Sequence, residues 1–344
     1  MSVLYSFDLQ VGGLAFEIHC ERSDLVAFVH EQTLGSWTPV GPPRNDVIQI
    51  RLITSTVTPD VTNGDTLMFG FGDNAILGHV DPGDPSVMTS QGMRLFCLGA
   101  GEVELTIAPG RLNAFIALYR IVSTLLRDRV LRSGGAELHA SAVSNGEQIV
   151  VFAGEKGAGK TSLCIDFVLS QGWRFVANDH VFLIPSRDTE VLALPETLRI
   201  GQGTLRQHQA LFQLAQRLGR EPGQDDKTRL HVSDIAQHLD APVVLNGKLG
   251  AVVTCGFEGG LPQGGVLTER HMDRAAIENC LTDASSYHTP QWLSWLGLSD
   301  PVVCIEHLNI DDVPVFDVRR TKGDTYAPLR LAKSLAVSLQ QILA

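Results

Sequence analysis

The chain has 344 residues, 44% of them hydrophobic and 19% charged, and a formal net charge of −11. That length exceeds what one hydrophobic core usually fills, so two domains are expected. The acidic balance, without any Lys/Arg cluster, argues against nucleic acid as the main partner and disfavours an anionic membrane.

The opening stretch MSVLYSFDLQVGGLAFEIHC lacks the basic start and unbroken apolar core of a signal peptide; Asp8 and Glu17 interrupt it and Glu21 follows it. No window reaches about 18 consecutive apolar residues, so a cytoplasmic protein with no membrane span is expected. The six cysteines, Cys20, Cys97, Cys164, Cys255, Cys280 and Cys304, form no C-x-x-C pair and no zinc-ligand spacing, which reads as free buried thiols. From Val3 to Ile107 short half-alternating runs (AFEIHC, VIQIRLI, TLMFGFG, EVELTI) are separated by Gly, Pro, Asn and Asp, the pattern of a mainly β domain over residues 1–108. One helix is expected inside it, SDLVAFVHEQTL, with Ser23 as N-cap.

A second domain, 109–344, opens on a helical pattern from Pro109 that stops at Gly134-Gly135. Strands and helices then alternate: AELHASAV, QIVVFAG, a helix from Lys160 to Ser170, RFVAND and VFLIP, which implies an α/β layer. Gln216 to Ser233 is polar, with Gly, Pro and mixed charge, and reads as a loop. After it come a buried strand LGAVVTCGF, a polar helix around Arg270 to Leu281, an aromatic patch (Tyr287, Trp292, Trp295), a strand VPVFDVR and a closing helix.

Residues 154–161, GEKGAGKT, fit G-x-x-x-x-G-K-[ST] at every fixed position. Glycines there let successive backbone N–H groups converge on phosphate oxygens, and the helix that follows adds its positive end. The pattern assigns phosphate contacts to Gly154, Glu155, Lys156, Gly157, Ala158, Gly159, Lys160, Thr161 and Ser162, with Lys160 reaching the β/γ-phosphates and the Thr161 hydroxyl on Mg²⁺. An apolar strand leading in and an amphipathic helix leading out are the context this motif requires. ATP and Mg²⁺ are the expected ligands. RFVANDHVFLIP then supplies Asp179 at an expected strand end, as the Mg²⁺ ligand, as the group holding that ligand, or as a turn residue closing the strand. His139, in ELHASAV, is expected on a strand beside the one that enters the loop.

A His-small-Ser-small-Val run, a strand, this loop, and then GWRFVANDHV, whose Asn178 lies 17 residues past Thr161, together resemble the catalytic domain of the HPr kinase/phosphorylase family. The match covers Glu137 to Pro185. The resemblance implies a P-loop fold of the HPr kinase/PEP carboxykinase type that phosphorylates a hydroxyl with ATP and Mg²⁺. It implies a general base at position 178 and a metal-serving acid at Asp179, but position 178 here is Asn. An amide orients a hydroxyl without taking its proton, and a positioned general base contributes about 10²–10⁴-fold. Three outcomes stay open: His139 is the base, the acceptor is more acidic or more nucleophilic than serine, or nucleotide is bound with little turnover. By the same likeness Glu196 is a distal metal ligand and Arg199 a phosphate contact, or both lie in a solvated loop. Lys227 and Arg229 are lid cations or an exposed charged loop.

The leading expectation is an ATP-dependent kinase in which Lys160, His139, Asn178 and Asp179 serve the reaction on a small-molecule or peptide acceptor. The alternative is a catalytically weak nucleotide-binding regulatory or partner-docking module. A motor ATPase or GTPase is disfavoured, since no N-K-x-D-like motif or Asp-Glu strand end stands out. HPr kinases are hexamers, but a match of about fifty residues does not carry that property over, and a homo-oligomer stays one open possibility.

Overall fold

The structure is a computed structural model. It describes the backbone of the strands between residues 5 and 107 and of residues 23, 24 and 27. Beyond these it describes residues 122–124, 126–194, 197–223, 226–240, 243–262, 265–270, 274–278, 281, 305–321 and 327–343, with side chains for most of them. The chain divides into two compact units, Met1–Arg129 with Asp283–Val302, and Val130–Thr282 with Val303–Ala344.

The short alternating runs of the first unit form one sheet of nine strands: β1 (Tyr5–Val11), β2 (Leu14–Cys20), β3 (Trp37–Pro39), β4 (Ile48–Thr54), β5 (Asp65–Phe69), β6 (Ile76–Val80), β7 (Ser86–Thr89), β8 (Arg94–Gly99) and β9 (Glu102–Ile107). Their order is β3-β1-β2-β4-β9-β8-β7-β6-β5, parallel at β2–β4 and β4–β9. Residues 23, 24 and 27 are helical, and the rest of the expected helix from Ser23 lies outside the described residues, as does the aromatic patch around Trp292.

The second unit is mixed α/β. Its main sheet runs β11-β10-β12-β13-β16-β18-β17, where β10 is Ala136–Ser144, β11 Gln148–Ala153, β12 Arg174–Ile184, β13 Glu190–Leu192, β16 Asn246–Phe257, β17 Val266–Arg270 and β18 Val315–Arg320. An additional parallel pairing of β11 with β16 closes five of these strands into a ring. β16 also runs parallel to β18, so β11, β16 and β18 end at the same edge. Ile149 to Ala153 are all 0% exposed, which explains why β11 is an unbroken apolar run rather than an alternating one.

Helix α1 (Lys160–Gln171) follows β11. It stops at Gly172, whose φ of 70° only glycine adopts without strain, and the Trp173 N–H bonds back to the Phe167 carbonyl at 3.2 Å. Phe167 fixes the helix on the sheet by tilted contact with Phe152, centroids 5.3 Å apart, and an edge contact with Trp173 at 5.1 Å. A two-stranded ribbon, β14 (Thr197–Gly201) with β15 (Lys227–His231), carries α2 (Gln202–Gln207), α3 (Gln209–Arg217) and α4 (Val232–Leu239). Short α5 (Arg274–Glu278) and the closing α6 (Ala327–Ile342) complete the unit.

Three expectations are corrected. The strand expected to end at Asn178-Asp179 continues to Ile184, because residues 179–183 pair antiparallel with Ala136–Ala140 of β10. Gln216 to Ser233 is not one loop: Thr228 and Leu230 are buried at 1% and 0% exposure, and this inward alternation makes Lys227–His231 a strand. The polar helix expected around Arg270 to Leu281 does not begin at Arg270, since Val266–Arg270 pairs with β18; among the described residues Arg274–Glu278 are helical. Among the described residues, no helix is long and apolar enough to cross a membrane. Cys164 and Cys255 are buried and unbridged.

Candidate functional site

Residues 154–159 join the end of β11 to the first turn of α1. Gly154, Gly157 and Gly159 have φ of 142°, 87° and 86°, conformations that side chains disfavour. A Cβ on Gly154 would overlap the Cys255 carbonyl, and one on Gly159 the Arg320 guanidinium, whereas nothing lies within 4 Å of the Cβ position of Gly157. Glu155 and Lys156 are exposed and Ala158 is buried. The loop is therefore held firmly at both ends and open at its crest. Arg320, only 6% exposed, donates from Nη2 to the Ala158 carbonyl at 2.5 Å and lies 5.2 Å over the Phe257 ring. Sequence reasoning missed it, because only the parallel ends of β16 and β18 bring Phe257 and Arg320 to this edge.

Lys160 is 6% exposed, and its ammonium folds back onto the loop, donating to the Gly154 carbonyl at 2.8 Å and the Glu155 carbonyl at 3.1 Å. The next hydroxyl, Thr161 Oγ1, donates to Asn178 Oδ1 at 2.6 Å, and Ser141 Oγ donates to the same oxygen at 3.1 Å. Asn178 is 0% exposed, and its amide oxygen accepts from both hydroxyls. Ser162 turns away from the loop crest: its hydroxyl meets Thr204 of α2 at 2.5 Å.

Ser141 stands directly opposite Asn178, and His139 directly opposite His180, in the β10–β12 register. Cross-strand partners share a face, as do positions two apart, so Glu137, His139 and Ser141 form one row on β10. β10 is antiparallel to β11 and pairs Ala140 with Ala153, so His139 and Glu137 extend past the strand end where the loop begins. His139 Nδ1 sits 3.2 Å from the Asp179 carbonyl. Burial, and next the Lys160 ammonium, hold His139 below the ordinary histidine pKa, with Asp179 acting in the opposite direction. Asp179 itself has φ 88°, a left-handed residue in the middle of a strand, half-buried between Asn178 and His180. Sequence reasoning also missed the neighbouring pair: His180 Nδ1 lies 2.8 Å from Oε1 of Glu137, whose side chain is 6% exposed.

Glu196 lies outside the described residues. Arg199, Lys227 and Arg229 are half-buried on one face of the β14–β15 ribbon, with Arg199 directly opposite Arg229. The ribbon leads straight into α2, whose Thr204 meets Ser162. Among the described residues, no three His, Cys, Asp or Glu side chains gather as a metal cluster. A magnesium ion that rides on nucleotide phosphates needs few protein ligands, and the groups of this loop that could serve it are the Thr161 hydroxyl and the carboxylate of Asp179, the residue after Asn178 in β12. The open crest at Gly157, the Lys160 ammonium beside the loop and the first-turn hydroxyl of Thr161 together fit an anionic phosphate chain.

No protein-family model matches the chain, and no curated protein matches it. Among solved structures, the Hpr(Ser) kinase/phosphatase from Coxiella burnetii aligns with 59% of this chain and 98% of its own, at 10% identity and a TM-score of 0.30. A score that low carries no inference about this chain.

Proposed function

We propose that this chain is an ATP-dependent phosphotransferase that passes the γ-phosphoryl group to a hydroxyl of a small molecule or peptide. The observation that carries this reading is the strand–loop–helix unit at 148–171. In it the sequence GEKGAGKT adopts positive φ at Gly154, Gly157 and Gly159 and brings Lys160 and Thr161 to the mouth of the loop. The loop amides and the start of α1 would hold the phosphates. Thr161, with Asp179, would hold Mg²⁺, which supplies charge neutralisation on the phosphoryl oxygens. Lys160 would exchange its two loop carbonyls for phosphate oxygens, gaining a charge-assisted bond that strengthens as negative charge develops. Catalysis in this reading is positioning and electrostatics.

The experiment is calorimetric titration with ATP–Mg²⁺. The parent chain binds, and Lys160→Ala weakens binding at least tenfold. Equal affinity of the two proteins removes the reading. A second reading, a nucleotide-binding module with little turnover, draws on one observation: the group that meets Thr161 is the amide of Asn178 rather than an acid. ADP formation from bound ATP separates the two.

A further inference from the structure

We propose that Phe257 is the platform on which the nucleobase of a nucleotide stacks while the glycine loop holds its phosphates; this rests on the phosphotransferase reading above. The ligand of the loop is then a nucleoside phosphate and not inorganic pyrophosphate. Among the described residues, the large apolar side chains that stand exposed are Phe212, Phe257, Val337 and Ile342. Phe212 lies on α3, and Val337 and Ile342 lie on α6. Phe257 differs in place: it is the last residue of β16, 44% exposed, at the sheet edge where the glycine loop begins.

The register of the sheet fixes that place. β11, β16 and β18 run parallel, and ligands of such strands sit beyond their carboxyl ends. Phe152 pairs with Val253 and touches Phe167 of α1, so Val253, Cys255 and Phe257 share the sheet face that carries α1. Arg320 stands beside Phe257 in the β16–β18 register. Its guanidinium lies 5.2 Å over the Phe257 ring and donates to the Ala158 carbonyl at 2.5 Å, so two contacts lead from the ring to the loop. Arg320 is 6% exposed and the ring it covers is 44% exposed, which leaves ring surface for a second flat group.

Topology separates this group from the acceptor. β11 has β10 on one side and β16 on the other. The β10 side, with β12 beyond it, carries Asp179 and the Asn178 amide that meets Thr161. In the reading above, magnesium and the γ-phosphoryl group belong on that side, which leaves the β16 side to the nucleoside. Bases stack on aromatic rings through their π faces, an interaction that pyrophosphate cannot make. The Phe257 ring offers no hydrogen bond, so it recognises a flat group and not the identity of the base.

The test titrates the full chain by calorimetry with ADP–Mg²⁺ and with pyrophosphate–Mg²⁺, which present the same pair of phosphates with and without a nucleoside. The parent is expected to bind ADP about tenfold or more tighter than pyrophosphate. Phe257→Ala is expected to weaken ADP by about tenfold and to hold pyrophosphate within about twofold, while Phe257→Trp, which keeps a flat ring, holds ADP within about threefold of the parent. Beyond any change seen in the parent, the emission of Phe257→Trp is expected to fall when ADP binds and to stay level with pyrophosphate. Parent-like ADP affinity in Phe257→Ala, an equal loss for both ligands, or a parent that binds ADP no tighter than pyrophosphate overturns this inference and leaves the phosphate loop standing. Where pyrophosphate binds too weakly to titrate, the two variants decide with ADP alone: an equal loss in both, or unquenched emission in Phe257→Trp, overturns it as well. A parent that binds neither ligand overturns the phosphotransferase reading, and the role of Phe257 with it.

Discussion

Gly157 and Gly159 share nearly the same backbone, φ 87° and 86°, and differ in what surrounds them. Alanine at either position meets a left-handed conformation that costs about 1–2 kcal/mol for a residue with a Cβ. At Gly157 that is the whole cost, because no atom lies within 4 Å of the added carbon. At Gly159 the new carbon falls on the Arg320 guanidinium, which has to leave the Ala158 carbonyl it donates to, and a bond to a charged donor adds about 1.5–3 kcal/mol. For a unit of this size each kcal/mol moves Tm by about 2–4 °C. Thermal unfolding of the full chain is therefore expected to fall by a few degrees in Gly157→Ala and by at least twice as much in Gly159→Ala. Equal shifts would mean that Arg320 does not brace the loop. The comparison also separates stability from function, since Gly157→Ala leaves the fold nearly intact while placing a methyl group at the open crest.

Elements differ in how far their sequence determines them. Helix α1 was legible in its bounds, the expected Lys160–Ser170 being Lys160–Gln171 in the structure, but Leu163 to Val168 are all buried, so that stretch lacks the exposed face of the amphipathic helix expected. β12 was cut short, since Asn-Asp reads as a turn. Asp179 tolerates the left-handed φ, and pairing with a strand some forty residues earlier carries the chain on. The Glu137–His180 contact spans 43 residues and follows from that register alone, so no local pattern announces it. β15 hid in a charged segment because only Thr228 and Leu230 point inward. Its last residue, His231, leads into α4 and lies 3.3 Å from Thr197 Oγ1 across the ribbon. Burial holds its pKa below the ordinary histidine value, with Asp234 opposing and Arg220 assisting. The folded state therefore binds this proton less readily than the unfolded chain does. The stability that follows is complete above the unfolded value near 6.5 and declines as pH falls below it. Replacing His231 by Gln is expected to flatten the fall in Tm between about pH 7 and pH 5.5. An unchanged slope would show that other groups set it.

At the scale of the whole molecule, every described residue of the candidate site, from Glu137 to Arg320, belongs to the second unit, yet that unit is not one continuous stretch. Asp283–Val302 clusters with the first unit, so the chain leaves the second unit at 282 and returns at 303. Residues 130–282 joined to 303–344 by a short Gly/Ser linker keep the ring of β10, β11, β12, β13 and β16, together with β18 and its Arg320. At roughly 200 residues this piece falls in the range of an independent domain. Since β11, the glycine loop, α1 and the β10–β12 register all lie within it, it is expected to elute as a folded monomer or defined oligomer and to bind ADP within a few-fold of the full chain. Gel filtration and calorimetric titration check both. A well-folded piece whose ADP affinity has fallen by more than about 100-fold would mean that the first unit completes the site, and the roles assigned to the residues of the second unit alone would then be insufficient.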